Sequence, residues 1–432
     1  MTSPGHGHSH SHGGDWSVWI DDKRLRTLLG SLVLGAIITV IAIILLWPSG
    51  AGRAAAIETA RDLGLLSDRI DATVIDSTDQ PCVVSAPGTE QTCRVLNLLL
   101  RGGPEEGSEL ALPEINLTFN RSVPELAAGD EVVLGFFEET NTYFYADNSR
   151  GTPLIILAIL FALVVIAFGR FRGLLALGAM LTTIVALVFF VAPSVLDGND
   201  PLLVSVVAAS AIAFVTLYLT HGFSPTTTVA LTGTLAALGL TLLLSWIFFR
   251  TGSITGLATD DALVLPFIDT DLSLSSLILG GAVIGALGAL DDVTITQVVT
   301  VAELRQSNPS MGSAKLIGSG LRVGRDHIAA TVNTLLLAYA GASMPLLLLF
   351  AASEQSLGSV AESEVIAVEI IRALCGSIGL VAAVPLTTVL AAAVLPPRVV
   401  GKTPTVEDVP SNDEQALDAA PNWSDFGPEP TA

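Results

Sequence analysis

Residues 272–292 read LSLSSLILGGAVIGALGALDD. The part from 272 to 290 carries no charge and matches the roughly 18 to 20 apolar residues that cross a hydrocarbon core of about 30 Å. Asp291 and Asp292 close it. A carboxylate at or just inside a membrane boundary is costly unless it faces protein, water or a cation, so these two are candidate site residues from the outset.

Similar apolar runs recur near 27–47, 153–169, 173–192, 202–220, 226–249, 327–351 and 373–395. With 51% hydrophobic and only 14% charged residues, the 432-residue chain is too apolar for a soluble domain of this size. The expectation is an all-α polytopic bundle of about eight transmembrane helices, one (27–47) before a polar stretch at 50–150 and seven in a core at 153–395. The first run lacks a clear small-residue cleavage site and reads as a retained helix. If the spans alternate, Lys23, Arg24, Arg26, Arg170, Arg172, Arg305, Lys315, Arg322, Arg325, Arg398 and Lys402 all fall on one side. The positive-inside rule then puts both termini in the cytoplasm and residues 50–150 outside.

The net charge of −21 is unevenly spread. Residues 53–150 hold 17 acids against 7 bases, and seven more acids follow Thr403. That balance argues against nucleic acid, which needs a basic footprint. The outer stretch predicts a helix at 54–65 and strands at 71–76, 92–100, 114–119, 131–138 and 142–146, separated by turns such as Arg101-Gly102-Gly103-Pro104. Five short strands suit a small OB-like barrel, with a two-layer sandwich as the alternative. Cys82 and Cys93 lie in this stretch and, outside the cytoplasm, could close a disulfide. The ends, 1–26 and 396–432, read as disordered cytoplasmic tails. His6, His8, His10 and His12 alternate in the first and could hold a divalent cation.

On a helix, Gly281, Gly285, Gly288 and Asp292 share a stripe through which a neighbouring helix could approach. That places Asp292 toward the bundle and Asp291 about 100° away, toward water or headgroups. The seventh span carries a second stripe, His327, Thr331, Thr334, Ala338, Gly341 and Pro345, with Asp326 and Asn333 beside it. Asp291, Asp292, Asp326, His327 and Asn333 therefore form a candidate polar path on the cytoplasmic side, where histidine could titrate near neutrality. The competing reading has Asp326 capping its helix and the aspartate pair bound to Arg322 or Arg325.

Phe144-Tyr145-Ala146-Asp147-Asn148-Ser149-Arg150, Thr220-His221-Gly222-Phe223-Ser224, Ala230-Leu231-Thr232-Gly233-Thr234, the run Gly285 to Val293, and Ile328 with Asn333-Thr334-Leu335 together resemble the YibE/F family. The similarity covers roughly 72–394. It implies a multi-pass protein of the bacterial plasma membrane with an extracytoplasmic amino-terminal domain, and no particular substrate. The family pattern has one aspartate where this chain has two, which leaves open whether Asp291 or Asp292 corresponds. The functional expectation is a permease of unspecified solute, ion- or proton-coupled. The alternative is a scaffold or sensor whose outer domain binds a protein partner, or a homo-oligomer. No serine triad, zinc-protease motif or nucleotide loop occurs, so no enzyme is expected, and the sequence leaves any cofactor unknown.

Overall fold

The computed structural model describes residues 20–83, 91–118, 123–138, 140–258, 260–268, 271–352 and 356–397. His6, His8, His10 and His12 and the acidic tail after 397 lie outside these residues. The protein is mostly helical, with a small antiparallel sheet near its amino terminus. In chain order it runs α1 (Asp22–Leu45), α2 (Ala51–Asp62), β1 (Asp68–Pro81), β2 (Thr92–Leu100), β3 (Glu109–Ala111), β4 (Ile115–Asn116), β5 (Glu131–Phe137) and β6 (Thr142–Asn148). The helical part then comprises α3 (Gly151–Ala186), α4 (Ala192–Leu196), α5 (Pro201–His221), α6 (Pro225–Thr251), α7 (Asp260–Ile268) and α8 (Leu274–Ser307). It ends with α9 (Ser313–Ala342), α10 (Met344–Ala352), α11 (Leu357–Glu362) and α12 (Glu364–Val394).

Among the described residues six helices are long and apolar enough to cross a membrane, or seven if α9 and α10, bent by 68°, are one span. The expected count was eight. Part of the difference lies in α3, where the expected spans 153–169 and 173–192 fall in one helical run, broken at Arg170, that goes on through a π-turn into α4. Arg170 inside it has φ 51° and ψ −130°, and a Cβ on Gly173 would strike the Val165 carbonyl. On a straight helix those two positions are about 12 Å apart along the axis. The chain therefore doubles back at Arg170.

Helix boundaries follow local chemistry. Asp200 caps α5 by accepting from Leu203 N at 2.8 Å, and Pro201 occupies the first turn, where its missing N–H costs nothing. Gly222 ends α5 at φ 75°, Ser224 accepts from Thr227 N at 3.1 Å, and Pro225 opens α6. That tight link makes α5 and α6 antiparallel neighbours. The core packs α5, α6, α8, α9 and α12 around residues such as Leu217, Leu231, Leu290 and Leu380, each 2% exposed or less.

Several helix ends meet at one face of the bundle. Asp21 N donates to the Val394 carbonyl at 2.9 Å, Arg305 Nε to the Leu395 carbonyl at 3.0 Å, and Pro225, Ala302 and Val394 line one small space. The start of α1 and the end of α12 thus share a face.

The sheet order is β3-β2-β1-β5-β6, all antiparallel, with β4 also on β2. No ladder joins β3 to β6 among the described residues, so across those residues the sheet is not closed into a barrel. β1 is longer than expected and carries a register shift between Val74 and Asp76. Such an irregularity bends a strand so that one face can wrap a core, here Val74, Leu96, Leu98, Val132 and Leu134. Cys82 and Cys93 are bonded at one end of the β1–β2 pair, their Cα atoms 4.9 Å apart. Asp197, just after α4, accepts from Ser49 Oγ at 2.8 Å and Gly52 N at 2.8 Å, and so ties the membrane bundle to the start of α2.

Arg94 is 6% exposed within the sheet domain. Its Nε and Nη2 donate to the two Asp79 carboxylate oxygens at 2.6 and 2.9 Å, and Nη1 donates to the Pro124 carbonyl. That hydrogen bonding holds the Asp79 carboxyl below the usual carboxylate range. A depressed carboxylate stabilises the fold above its unfolded value and loses that contribution as pH falls through the lowered one. Asp79→Asn in the full-length protein should speed hydrogen exchange in β1 and β2 about fivefold at neutral pH, ~1 kcal/mol after screening at the half-exposed Asp79. The difference from wild type should close on acidification. Equal protection at neutral pH would remove the ion pair as a support of the domain.

Candidate functional site

The apolar pattern of α8 does not end at Leu290. Val293, Ile295, Val298, Val301 and Ala302 continue it, all buried, as far as Arg305. Ala302 lies at the face where the helix ends meet, and the helix from there back to Asp291 is roughly 16 Å long at 1.5 Å per residue. On α5, Thr216 beside Asp291 is about 8 Å of helix from the end at His221. Asp291 is therefore about one and a half to three turns inside the bundle rather than at its boundary.

Two neighbouring helices meet Asp291 with hydroxyls. Thr216 Oγ1 of α5 donates to Asp291 Oδ2 at 3.2 Å. Thr234 of α6 and Thr294 of α8, both fully buried, share a hydrogen bond of 2.6 Å, and Thr294 Oγ1 donates to the Asp291 carbonyl at 3.2 Å. Asp291 Oδ1 is buried and has no hydrogen-bond partner among the described residues. No base stands in an ion pair with Asp291 there either. A carboxylate in this setting can gain a proton or hold a small cation, because either removes the cost of an unpaired charge in a low-dielectric interior.

The predicted register is off by one position. Asp292 is exposed, and so are Gly281, Gly285 and Gly288 on the same stripe. A Cβ on Gly281 or Gly288 would meet nothing within 4 Å, and one on Gly285 only Tyr339 Oη at 3.8 Å. The glycine that brings helices together is Gly280, against which Ser205 of α5 packs so closely that an added Cβ would collide with it. The same pairing of glycine with a hydroxyl recurs at Gly233 with Thr387 and at Gly379 with Thr241. Small residues matched in this way let helices approach where lipid supplies no hydrophobic drive, and the Thr241 and Thr387 hydroxyls each keep a carbonyl partner on their own helix.

Asp326, His327, Asn333 and Gly341 are also exposed, and among the described residues no hydrogen bond joins them to Asp291. On α9 only Leu316, Gly320 and Gly324 are buried. Gln297 of α8 fixes that end of α9, donating to the Gly320 carbonyl at 3.0 Å and to Thr388 Oγ1 at 2.7 Å. Asp326 and His327 follow directly but turn off the packed face. Equal depth along the axis did not mean a shared face. Neither aspartate of α8 pairs with Arg322 or Arg325. Among the described residues no group of three or more His, Cys, Asp or Glu is placed to hold a metal.

Sequence reasoning did not select Thr216, Thr234, Thr294 or Gln297. A signal existed on α6, where Thr227, Thr234 and Thr241 recur at heptad spacing and each is 1% exposed or less.

A profile of the family described as YibE/F-like protein matches residues 157–397, more than half of the chain and the whole region that builds the Asp291 cluster. No curated protein and no solved structure matches the chain.

The corrected register is open to test. Gly280→Leu should abolish recovery of monodisperse detergent-extracted protein, whereas Gly281→Leu on the open face should leave it near wild type. Size-exclusion profiles showing the opposite order would restore the glycine stripe as the packing face.

Proposed function

The chain belongs to the YibE/F-like family, and on that premise we propose that it is a multi-pass permease whose cycle passes through proton or small-cation binding at Asp291. The carrying observation is Asp291 Oδ1, buried without a partner inside a bundle that supplies hydroxyls but no base. Intramembrane carboxylates are costly and are retained where a charge or proton moves. Asp292 sits on the neighbouring open face, and His221 lies within electrostatic range of both Asp292 and Arg172. At this depth acyl chains are a poor neighbour for a carboxylate, so that face of α8 lines a water-reached crevice leading toward Asp291. Asp326, His327 and Asn333 belong to the outer wall of the path rather than to its centre. We read the protein as a transporter and not as an enzyme: aspartyl chemistry needs two carboxylates sharing a proton, and Asp291 has no such companion among the described residues.

Our reading keeps eight spans in a bacterial plasma membrane, with both termini cytoplasmic. The reversal at Arg170 supports counting α3 with α4 as two spans, and the bent α9–α10 pair supports counting one more. The shared face of the α1 start and α12 end supports placing both termini on one side, and the basic loops make that side the cytoplasm. The bond between Cys82 and Cys93 suits an oxidising compartment for the sheet domain. Its strand order, with β1 between β2 and β5, suits an OB-like barrel left open at one seam.

In proteoliposomes loaded with a pH dye, Asp291→Asn should lower solute-dependent proton movement at least tenfold, while Asp326→Asn should change it less than twofold. Identical traces for wild type and Asp291→Asn, at equal protein levels, would remove the path. A membrane-impermeant thiol mass tag applied to intact cells should reach Cys82 and Cys93 only after reduction. Tagging that requires cell lysis would invert the topology.

A further inference from the structure

At the end of the bundle away from the shared helix ends, a cavity of about 440 Å3 lies between α7, α8, the α9–α10 bend and α12. Leu265, Leu277, Ile278 and Leu346 give it apolar walls, and its charged groups are Glu369 and Arg372. Arg372 Nη1 donates to Glu369 Oε1 at 2.9 Å, and the side chains remain 26% and 28% exposed. The pair is incompletely satisfied. Arg372 Nε is buried without an acceptor among the described residues. The backbone break at Ser343 lines the same space, and irregular backbone at membrane depth is tolerated where it borders a protein cavity.

The charge arrangement restricts what can bind. The pair is neutral overall, so a lone anion drawn to Arg372 also meets Glu369, and a lone cation drawn to Glu369 also meets Arg372. A molecule carrying both an ammonium and a carboxylate satisfies each partner, and the apolar walls suit a hydrocarbon side chain. The volume lies within the range of small-molecule pockets, about 300–1,000 Å3. Tyr339 is close enough to both charged groups to feel them, and its hydroxyl reaches over Gly285 on the open face of α8 that leads to Asp292. The cavity is thus placed at the head of that face.

We propose that this cavity binds a zwitterionic amino acid with an apolar side chain, its ammonium on Glu369 and its carboxylate on Arg372. Binding itself stands on the cavity alone, while its meaning as the transported solute rests on the permease reading above.

Equilibrium binding of radiolabelled L-leucine to the full-length protein in lipid nanodiscs tests this, with 4-methylpentanoate (no ammonium) and 3-methylbutylamine (no carboxylate) as competitors. Saturable leucine binding is expected, with each half-molecule at least tenfold weaker because one charge-assisted contact is lost. Glu369→Gln and Arg372→Gln should each weaken leucine binding at least tenfold. Ala342→Phe, which keeps both charges and fills the space, should abolish it. No saturable leucine binding to wild type, 4-methylpentanoate binding as tightly as leucine, or leucine binding that survives Ala342→Phe would each overturn the proposal. Asp291→Asn separates the two readings. Leucine bound normally while proton movement is unaffected by Asp291→Asn sinks the permease path alone; Asp291-dependent proton movement without leucine binding sinks this site alone.

Discussion

A polar group inside a membrane bundle has no water to fall back on, and an unpaired one costs a few kcal/mol. That constraint organises the middle of this protein. Hydroxyls of α6 and α12 back-bond to their own carbonyls, as Thr241 does to Ala237 and Thr387 to Ala383. Glycines on facing helices then take up those side chains, Gly379 against Thr241 and Gly233 against Thr387. Gln297 closes the same account for α9 by reaching the Gly320 carbonyl and Thr388 together. At Asp291 the rule is met only by half. One oxygen has Thr216 and the other has nothing among the described residues. Ser245 Oγ, Arg305 Nη2 and Arg372 Nε are also left without a partner among the described residues, but Asp291 is the carboxylate in that set, and a proton or small cation can neutralise it.

The large features were legible because they rest on composition and punctuation. Long apolar runs mark the helices, Asp200-Pro201 and Ser224-Pro225 mark their starts, and the β2 strand at Thr92–Leu100 alternates buried and partly buried positions along most of its length. The Arg170 reversal was visible as a charged break between two apolar runs. What misled was charge. Asp291-Asp292 reads as the end of a span, yet Val293 to Ala302 carry the same apolar pattern for nearly three more turns. That continuation is the signal in the sequence that sets the aspartates deep.

The face assignment failed for a related reason. Glycine spacing identifies a stripe but not what lies against it. Gly280 and Gly281 are adjacent and about 100° apart, and only the neighbour, Ser205, tells which one is the contact. One position of rotation exchanges Asp292 for Asp291 as the inward residue. For α9 the error came from treating depth as proximity: Gly324 packs on Gln297 and Val384, yet Asp326 and His327 just after it point away from α8. Sequence alone also gave no view of the α9–α10 bend and α12 converging on Glu369 and Arg372, because that cavity is assembled from four separate segments.

The inward orientation of Asp291 is the claim on which site, function and path all rest, and a thiol crosslink reads it directly. In a chain with Cys82, Cys93 and Cys375 replaced, Thr216→Cys combined with Asp291→Cys should be joined in high yield by a short bifunctional thiol reagent in native membranes. Thr216→Cys combined with Asp292→Cys should remain largely unjoined. Efficient joining through position 292 with none through 291 would contradict the account, turning the buried face of α8 by one residue and leaving Asp291 outside the bundle.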